Sequence, residues 1–181
     1  MADACLVGLL AGWTETVDYL GQKYFPPCAL NSDSHVDEGI AAVYATFLRM
    51  ADEKPLADAS VQAARYRFFS VEPEPCVVRL EQRESGWMAI CKRAAEAVFV
   101  GQYDQLQFNI LEREISQRRI AKLKALVDAA GYWSMRAAEP PGGLDGWHGV
   151  VEYANGDQYK IVDRWCPDGT PYGKHCNWFL N

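Results

Sequence analysis

Residues 142–165 read GGLDGWHGVVEYANGDQYKIVDRW, two runs of alternating side chains on either side of Asn155-Gly156. Asn-Gly in that setting is the strongest short-range signal for a β-hairpin, because both residues tolerate the positive φ of a two-residue turn. A lone hairpin is marginal in water, so further strands must complete a sheet around this one. Its register is contested within the sequence. A two-residue Asn155-Gly156 loop sets His148 opposite Asp163 and Glu152 opposite Tyr159. A three-residue loop pairs Val151 with Ile161 and Tyr153 with Tyr159 on one apolar face. Where the two conflict the buried face decides, so the three-residue loop with a glycine bulge is expected, and His148 then does not face Asp163 directly.

The other strands follow from the same period of two. Arg65–Val71 is one, stopped by Glu72-Pro73-Glu74-Pro75. Cys76–Arg83 and Trp87–Lys92 form a hairpin turning at Glu84-Ser85-Gly86. Val98–Val100 and Gln105–Glu112 come next, the last with Leu106, Phe108 and Ile110 buried and Gln105, Gln107 and Asn109 wet. Helices are read from apolar residues at steps of three and four. The first spans residues 3–22 and ends at Phe25-Pro26-Pro27, since proline cannot continue the ladder. The second opens at Ser34, read as its cap, and carries Ile40, Val43, Tyr44, Phe47 and Leu48. The third, 117–130, is capped by Ser116, has Ile120, Leu123, Leu126, Val127 and Ala130 on one face, and stops at Gly131. The expected fold is α+β: an antiparallel sheet of about five to seven strands, one packed helix at 117–130, and an N-terminal helical pair. One domain of 181 residues is expected, with an acidic helical part over residues 1–60 and a sheet-rich part over 61–181. The 22 rings of Trp, Tyr and Phe supply a large core.

Charge is unevenly placed. Residues 1–60 hold nine acids against three bases, while residues 61–181 hold fifteen of each, so the whole net charge of −6 sits at the front. That argues against nucleic acid or anionic lipid as the main partner and suits a basic protein such as a toxin or an enzyme. Asp33, Asp37, Glu38, Asp52 and Glu53 are the candidate partner-binding residues. The plainer reading is that Asp33, Asp37 and Glu38 serve a helix start, where the dipole favours anions.

Residues 5–12, CLVGLLAG, lack the basic flank of a signal peptide and are too short to span a bilayer. No membrane span and a cytoplasmic location are expected, or a periplasmic one if a signal has been removed. Of six cysteines, Cys166 and Cys176 bracket a Pro- and Gly-rich turn and are the candidate disulfide. Cys76 and Cys91 sit on paired strands but are not directly opposed, since the turn sets Arg79 or Leu80 across from Cys91. Asp145, His148 and Asp163 with Cys91, Cys166 or Cys176 would make a Cys/His nucleophilic site, but no nucleophile motif surrounds any cysteine. Cys166, His175 and Cys176 lack paired C-x-x-C spacing for zinc. Asp33, Asp37 and Glu38 lack the glycine and spacing of a calcium loop. No phosphate loop or dinucleotide fingerprint occurs, so no catalytic residue, metal or cofactor is expected. Asp163, Arg164 and Trp165 are expected to build a structural ion pair that ties their strand to the loop at Asp145.

YRFF at 66–69, VVRLEQR at 77–83, LVDAAGYW at 126–133, GLDGWHGVVE at 143–152 and YKIVDRWCPDG at 159–169 together resemble a bacterial family of uncharacterised proteins. The likeness covers about two thirds of the chain. It implies a late glycine-aspartate-glycine turn and a strand ending in Asp-Arg-Trp-x-Pro, and it carries no catalytic assignment. Many members begin with an anchor or signal, whereas this chain begins with an acidic helical segment. With the acidic front, these features point to a non-enzymatic protein-binding protein, of the kind that acts as an immunity or inhibitor protein against a bacterial toxin or enzyme. The alternatives are an envelope-associated structural protein, as the anchored members suggest, or a Cys/His-dependent enzyme, which a thiol-reactivity profile separates from the rest.

Overall fold

The computed structural model describes residues 24–31, 33–57, 64–71, 74–96, 106–139, 146–155, 158–165 and 167–181. The first expected helix, the strand at 98–100, Asp145, Cys166 and the Gly156-Asp157 loop lie outside them. Within the described residues the fold is α+β. Helix α1 (Ser34–Met50) precedes strands β1 (Arg65–Ser70), β2 (Cys76–Arg83), β3 (Gly86–Ala94) and β4 (Phe108–Ile115). Helix α2 (Gln117–Ala129) leads to a 3-10 turn (Tyr132–Ser134), strands β5 (His148–Asn155) and β6 (Gln158–Trp165), and helix α3 (Pro171–Leu180). The six strands form one antiparallel sheet in the order β4-β3-β2-β1-β5-β6.

Both faces are covered, and that follows from the side chains. On one face Phe69, Val77, Val150 and Ile161 pack under Tyr44, Ala45, Phe47 and Leu48 of α1. On the other, Phe68, Val78, Leu80, Val151, Tyr153 and Val162 meet Ile120, Leu123 and Val127 of α2 and Tyr172, Cys176 and Phe179 of α3. Phe68 and Phe69 are neighbours in sequence and both fully buried, which only a sheet sandwiched between helices permits. Each contributes about 2–3 kcal/mol by leaving water.

The turn between β2 and β3 is two residues, Glu84-Ser85, with Arg83 paired to Gly86. Gly86 takes φ 134, which only glycine adopts without strain. This sets Val78, not the expected Arg79 or Leu80, opposite Cys91 and Cys76 opposite Arg93, so the two cysteines are not cross-strand partners, and both are free thiols. The β5–β6 register is neither of those considered from sequence. Asn155 pairs with Gln158, Val151 with Val162, and His148 with Trp165. The apolar pattern misleads there because Val150 and Val151 are both buried, on opposite faces. With no wet face, alternation carries no register information.

Candidate functional site

The five acidic residues expected at a binding surface do not form one. Asp33 caps α1 in place of Ser34: its carboxylate accepts from the His35 and Val36 amides, the standard use of an N-cap aspartate. Asp33 is exposed and Glu38 half-buried. Asp37 is 5% exposed. Its Oδ1 accepts from the Leu30 and Asn31 amides at 2.7 and 2.8 Å, and its Oδ2 from the Cys28 amide at 2.8 Å. Those three bonds fold the 28–31 loop onto the helix start. An amide in place of the carboxylate would turn one acceptor into a donor facing a backbone N–H. Asp37→Asn should therefore cost about 2 kcal/mol, read as a lower urea midpoint at unchanged m. An unshifted midpoint would mean that the loop is held by other contacts.

Glu53, 3% exposed, is likewise inside. It lies beyond the C-terminal end of α1, about 25 Å from Asp33 along a 17-residue helix. Its Oε2 lies 2.9 Å from Arg79 Nε and its Oε1 2.8 Å from Lys92 Nζ. Lys92 also donates to the carbonyls of Ala51 and Asp52. Arg67, fully buried on β1, donates from Nε to Glu152 at 2.5 Å and from NH1 to the Lys54 carbonyl at 2.9 Å. The other Glu152 oxygen accepts from Tyr159. Burial opposes the guanidinium charge, but Glu152 and Glu53 outweigh it and hold Arg67 above its ordinary pKa. The network fastens the chain after α1 to three central strands. Asp52 itself is exposed, with φ 51, a conformation aspartate tolerates better than most residues.

A second constellation lies on the same face of the sheet. Asp163 is buried. It accepts from Tyr44 at 2.6 Å and contacts His148 Nδ1 at 2.8 Å. His148 is directly opposite Trp165, yet it reaches Asp163 along the diagonal, which the two-residue spacing of one face allows. Arg164 points to the other face. It donates to the carbonyls of Arg136 and Ala137 and approaches Glu139 at 3.3 Å. Asp163 and Arg164 make two separate anchors, because neighbours on a strand face opposite ways; the expected tie to the loop at Asp145 lies outside the described residues. Asp163 ties the sheet to α1, Arg164 ties it to the 136–139 segment, and the Trp165 ring meets that of His148 edge-on at 5.0 Å.

The expected Cys166–Cys176 disulfide is corrected on one side: Cys176 is a free, fully buried thiol on α3. Burial pushes it far above the usual thiol range, and Cys76 up to about 11, opposite to the shift a nucleophilic thiol needs. Next to Cys176, His175 is fully buried and contacts the Tyr153 hydroxyl. Burial holds its imidazole down to about 4 against an ordinary 6.5. No group of three His, Cys, Asp or Glu suited to a metal ion occurs among the described residues. The fold keeps the His175 ring neutral, so its contribution is complete above pH 6.5 and is lost as pH falls toward 4, at up to about 1.4 kcal/mol per pH unit. Urea unfolding at pH 7, 6 and 5 should show this slope in the native chain, and a His175→Gln variant should be flatter by that amount. Parallel slopes would contradict a buried neutral ring.

Sequence reasoning missed α3 altogether, although the signal was present. Thr170 caps the helix through the Gly173 amide, and Pro171 stands at its first position, a pairing that favours helix starts. Tyr172, His175, Cys176 and Phe179 then recur at helical spacing and are all buried. Also missed was the character of β4. It begins three residues later than expected, and Ile110 is 63% exposed instead of buried, with Leu111 61% exposed. The available clue was the run Glu112-Arg113-Glu114, which puts charge on both faces of the strand, as an exposed edge does.

The two sheet edges differ. At β6 the Asp163 amide donates to the Ala137 carbonyl at 2.7 Å, so the 136–139 segment lies along that side. At β4 no described residue pairs with the outer side, and Asn109 to Glu114 are all exposed. Ile110, paired with Lys92, shares the α1 face with Glu112 and Glu114; Leu111 and Arg113 share the other. Among the described residues the fold is an α+β domain whose β6 edge is bonded at Asp163 to the 136–139 segment and whose β4 edge has no described partner. No family model matches the chain, and no curated protein matches it. No described helix is long and apolar enough to cross a membrane.

Proposed function

We propose that this is a non-enzymatic binding protein that holds a basic protein partner, in the manner of an immunity or inhibitor protein that neutralises a toxin or enzyme. The observation that carries the reading is β4, an exposed edge strand on which Ile110 and Leu111 stand beside Glu112 and Glu114. Apolar side chains left in water and flanked by charge are a common mark of an interaction surface. A chain of net charge −6 attracts a basic partner and orients its approach. Of the five acidic residues first considered, Asp33, Glu38 and Asp52 remain as contributors to that field, and Asp37 and Glu53 do not.

The test is capture of partners from a lysate of the organism that makes the protein, at low and high salt. One basic protein, released by salt, is the expected result. A variant with Asp33→Asn, Glu38→Gln and Asp52→Asn keeps the helix cap and suits the left-handed backbone while removing three charges, and it should release that partner at lower salt. Equal salt sensitivity would remove those residues from the reading. Failure to capture any protein at either salt would remove the reading itself.

A further inference from the structure

The exposed edge of β4 narrows what the partner must present. An unpaired edge strand is a template for another strand, and proteins usually cover it or arm it with charge. Here the other edge, β6, is covered through Ala137, whereas β4 carries Ile110, Leu111, Glu112, Arg113 and Glu114 in the open.

A second copy of this chain fits that edge poorly in the registers centred on Leu111, Glu112 or Arg113. In a two-fold antiparallel pairing within one continuous sheet, opposed residues share a face, so a residue pairs with its own equivalent or with one an even number away. Centring on Glu112 opposes the two Glu112 side chains. Centring on Arg113 opposes the two arginines and sets Glu112 against Glu114. Like charges directly opposite are destabilising. Centring on Leu111 sets each Glu112 against an isoleucine, which leaves both without a complement. A strand of different sequence has none of these conflicts. Antiparallel to β4, it would meet Glu114, Arg113, Glu112, Leu111 and Ile110 in that order. Its complement is basic, polar, basic, apolar, apolar.

On the reading that the protein binds a basic partner, we propose that β4 takes up an extended segment of that partner as a seventh strand, with Lys or Arg side chains across from Glu112 and Glu114 and apolar ones across from Leu111 and Ile110. Backbone pairing supplies the attachment and the side chains on alternate faces supply the selection.

The probe is a capped peptide, acetyl-Thr-Lys-Thr-Lys-Val-Val-Thr-amide, titrated into the full chain and followed by amide hydrogen exchange. Two further versions carry N-methyl groups on alternate residues, one in each frame. The peptide should slow exchange at those alternate amides of 109–114 that point away from β3. One methylation frame should abolish this and the other retain it, because only alternate amides of an added strand face the sheet. Glu112→Lys combined with Glu114→Lys, both exposed positions, should weaken binding about tenfold or more. Three results would each overturn the proposal: no slowing up to the solubility of the peptide, equal binding by both methylated forms, or the amides of 109–114 that point away from β3 already protected in the free chain. Protection that grows with protein concentration alone would assign the edge to a second copy instead. The two readings fail separately. If Ile110→Lys and the double glutamate variant still capture the lysate partner undiminished, the partner reading stands and the edge proposal falls. If the peptide docks as described but no lysate protein is captured, the edge proposal stands and the basic-partner reading falls.

Discussion

Arg67→Met melts about 10 °C or more below the native chain. The guanidinium is fully buried, bonded to Glu152 at 2.5 Å and to the Lys54 carbonyl, with Glu53 at 3.7 Å. Methionine fills much of the space but leaves Glu152 buried with only the Tyr159 hydroxyl as a described side-chain partner. Removing one partner of a buried ion pair costs about 3–5 kcal/mol, most of it the penalty on the charge left behind. In a chain of this size each kcal/mol moves the midpoint by about 2–4 °C. Adding Glu152→Gln to Arg67→Met removes the stranded charge and should restore about half of the loss. If the double variant were as unstable as the sum of the two single variants, the cost would lie in packing around Arg67 and not in the unpaired carboxylate. The net contribution of the intact pair is a separate quantity, because desolvation of both charges offsets much of their attraction.

Gly173→Ala is expected to lower stability by about 3 kcal/mol, against the direction that helix propensity gives. Within a helix, alanine is favoured over glycine by about 1 kcal/mol. At residue 173 a Cβ would collide with the Pro167 carbonyl oxygen, lie 2.7 Å from its carbon, and come within 3.2 Å of the Asp168 Cα. These are backbone atoms and cannot swing aside as a flexible side chain would. Relief requires α3 to move off the 167–170 turn, and α3 carries Tyr172, His175, Cys176, Trp178 and Phe179 into the core. Tyr172 also donates its hydroxyl to the Gly149 and Val162 carbonyls, bridging β5 and β6. Overpacking of this kind typically costs about 1–3 kcal/mol, and more where backbone must shift. Denaturant midpoints and the near-ultraviolet dichroism of Trp178 should change together. A stabilised Gly173→Ala variant would show that the turn yields freely and that α3 is not locked by this contact.

The relation between sequence and structure is clearest where expectations divide. Signals that depend on a few neighbouring residues were legible. Ser116 caps α2 and Gly131, with φ 63, ends it; the span of β2 follows the local pattern, while the turn after it is Glu84-Ser85 and not the expected Glu84-Ser85-Gly86. The α+β class and the antiparallel sheet rest on such signals, since period and punctuation need no knowledge of distant residues. The acidic front was also legible, but not which of its carboxylates reach water. Asp37 and Asp33 are four residues apart on one helix start, and one is buried under three backbone amides while the other is exposed. Glu53 reads as a surface acid until Arg67, Arg79 and Lys92 arrive from three different strands.

The sequence by itself determined the span of β2, the Ser116 and Gly131 limits of α2 and the net charge of −6, because those properties are local or additive. Only the tertiary structure decided that the sheet is buried on both faces, that β5 and β6 take a register that brings His148 diagonally to Asp163, and that β4 ends the sheet with Ile110 and Leu111 in the open. Each of those depends on which distant segment lies alongside. A strand's own alternation is the same whether it is central or at an edge, and a carboxylate is the same whether the neighbouring cation is solvent-borne or buried beside it.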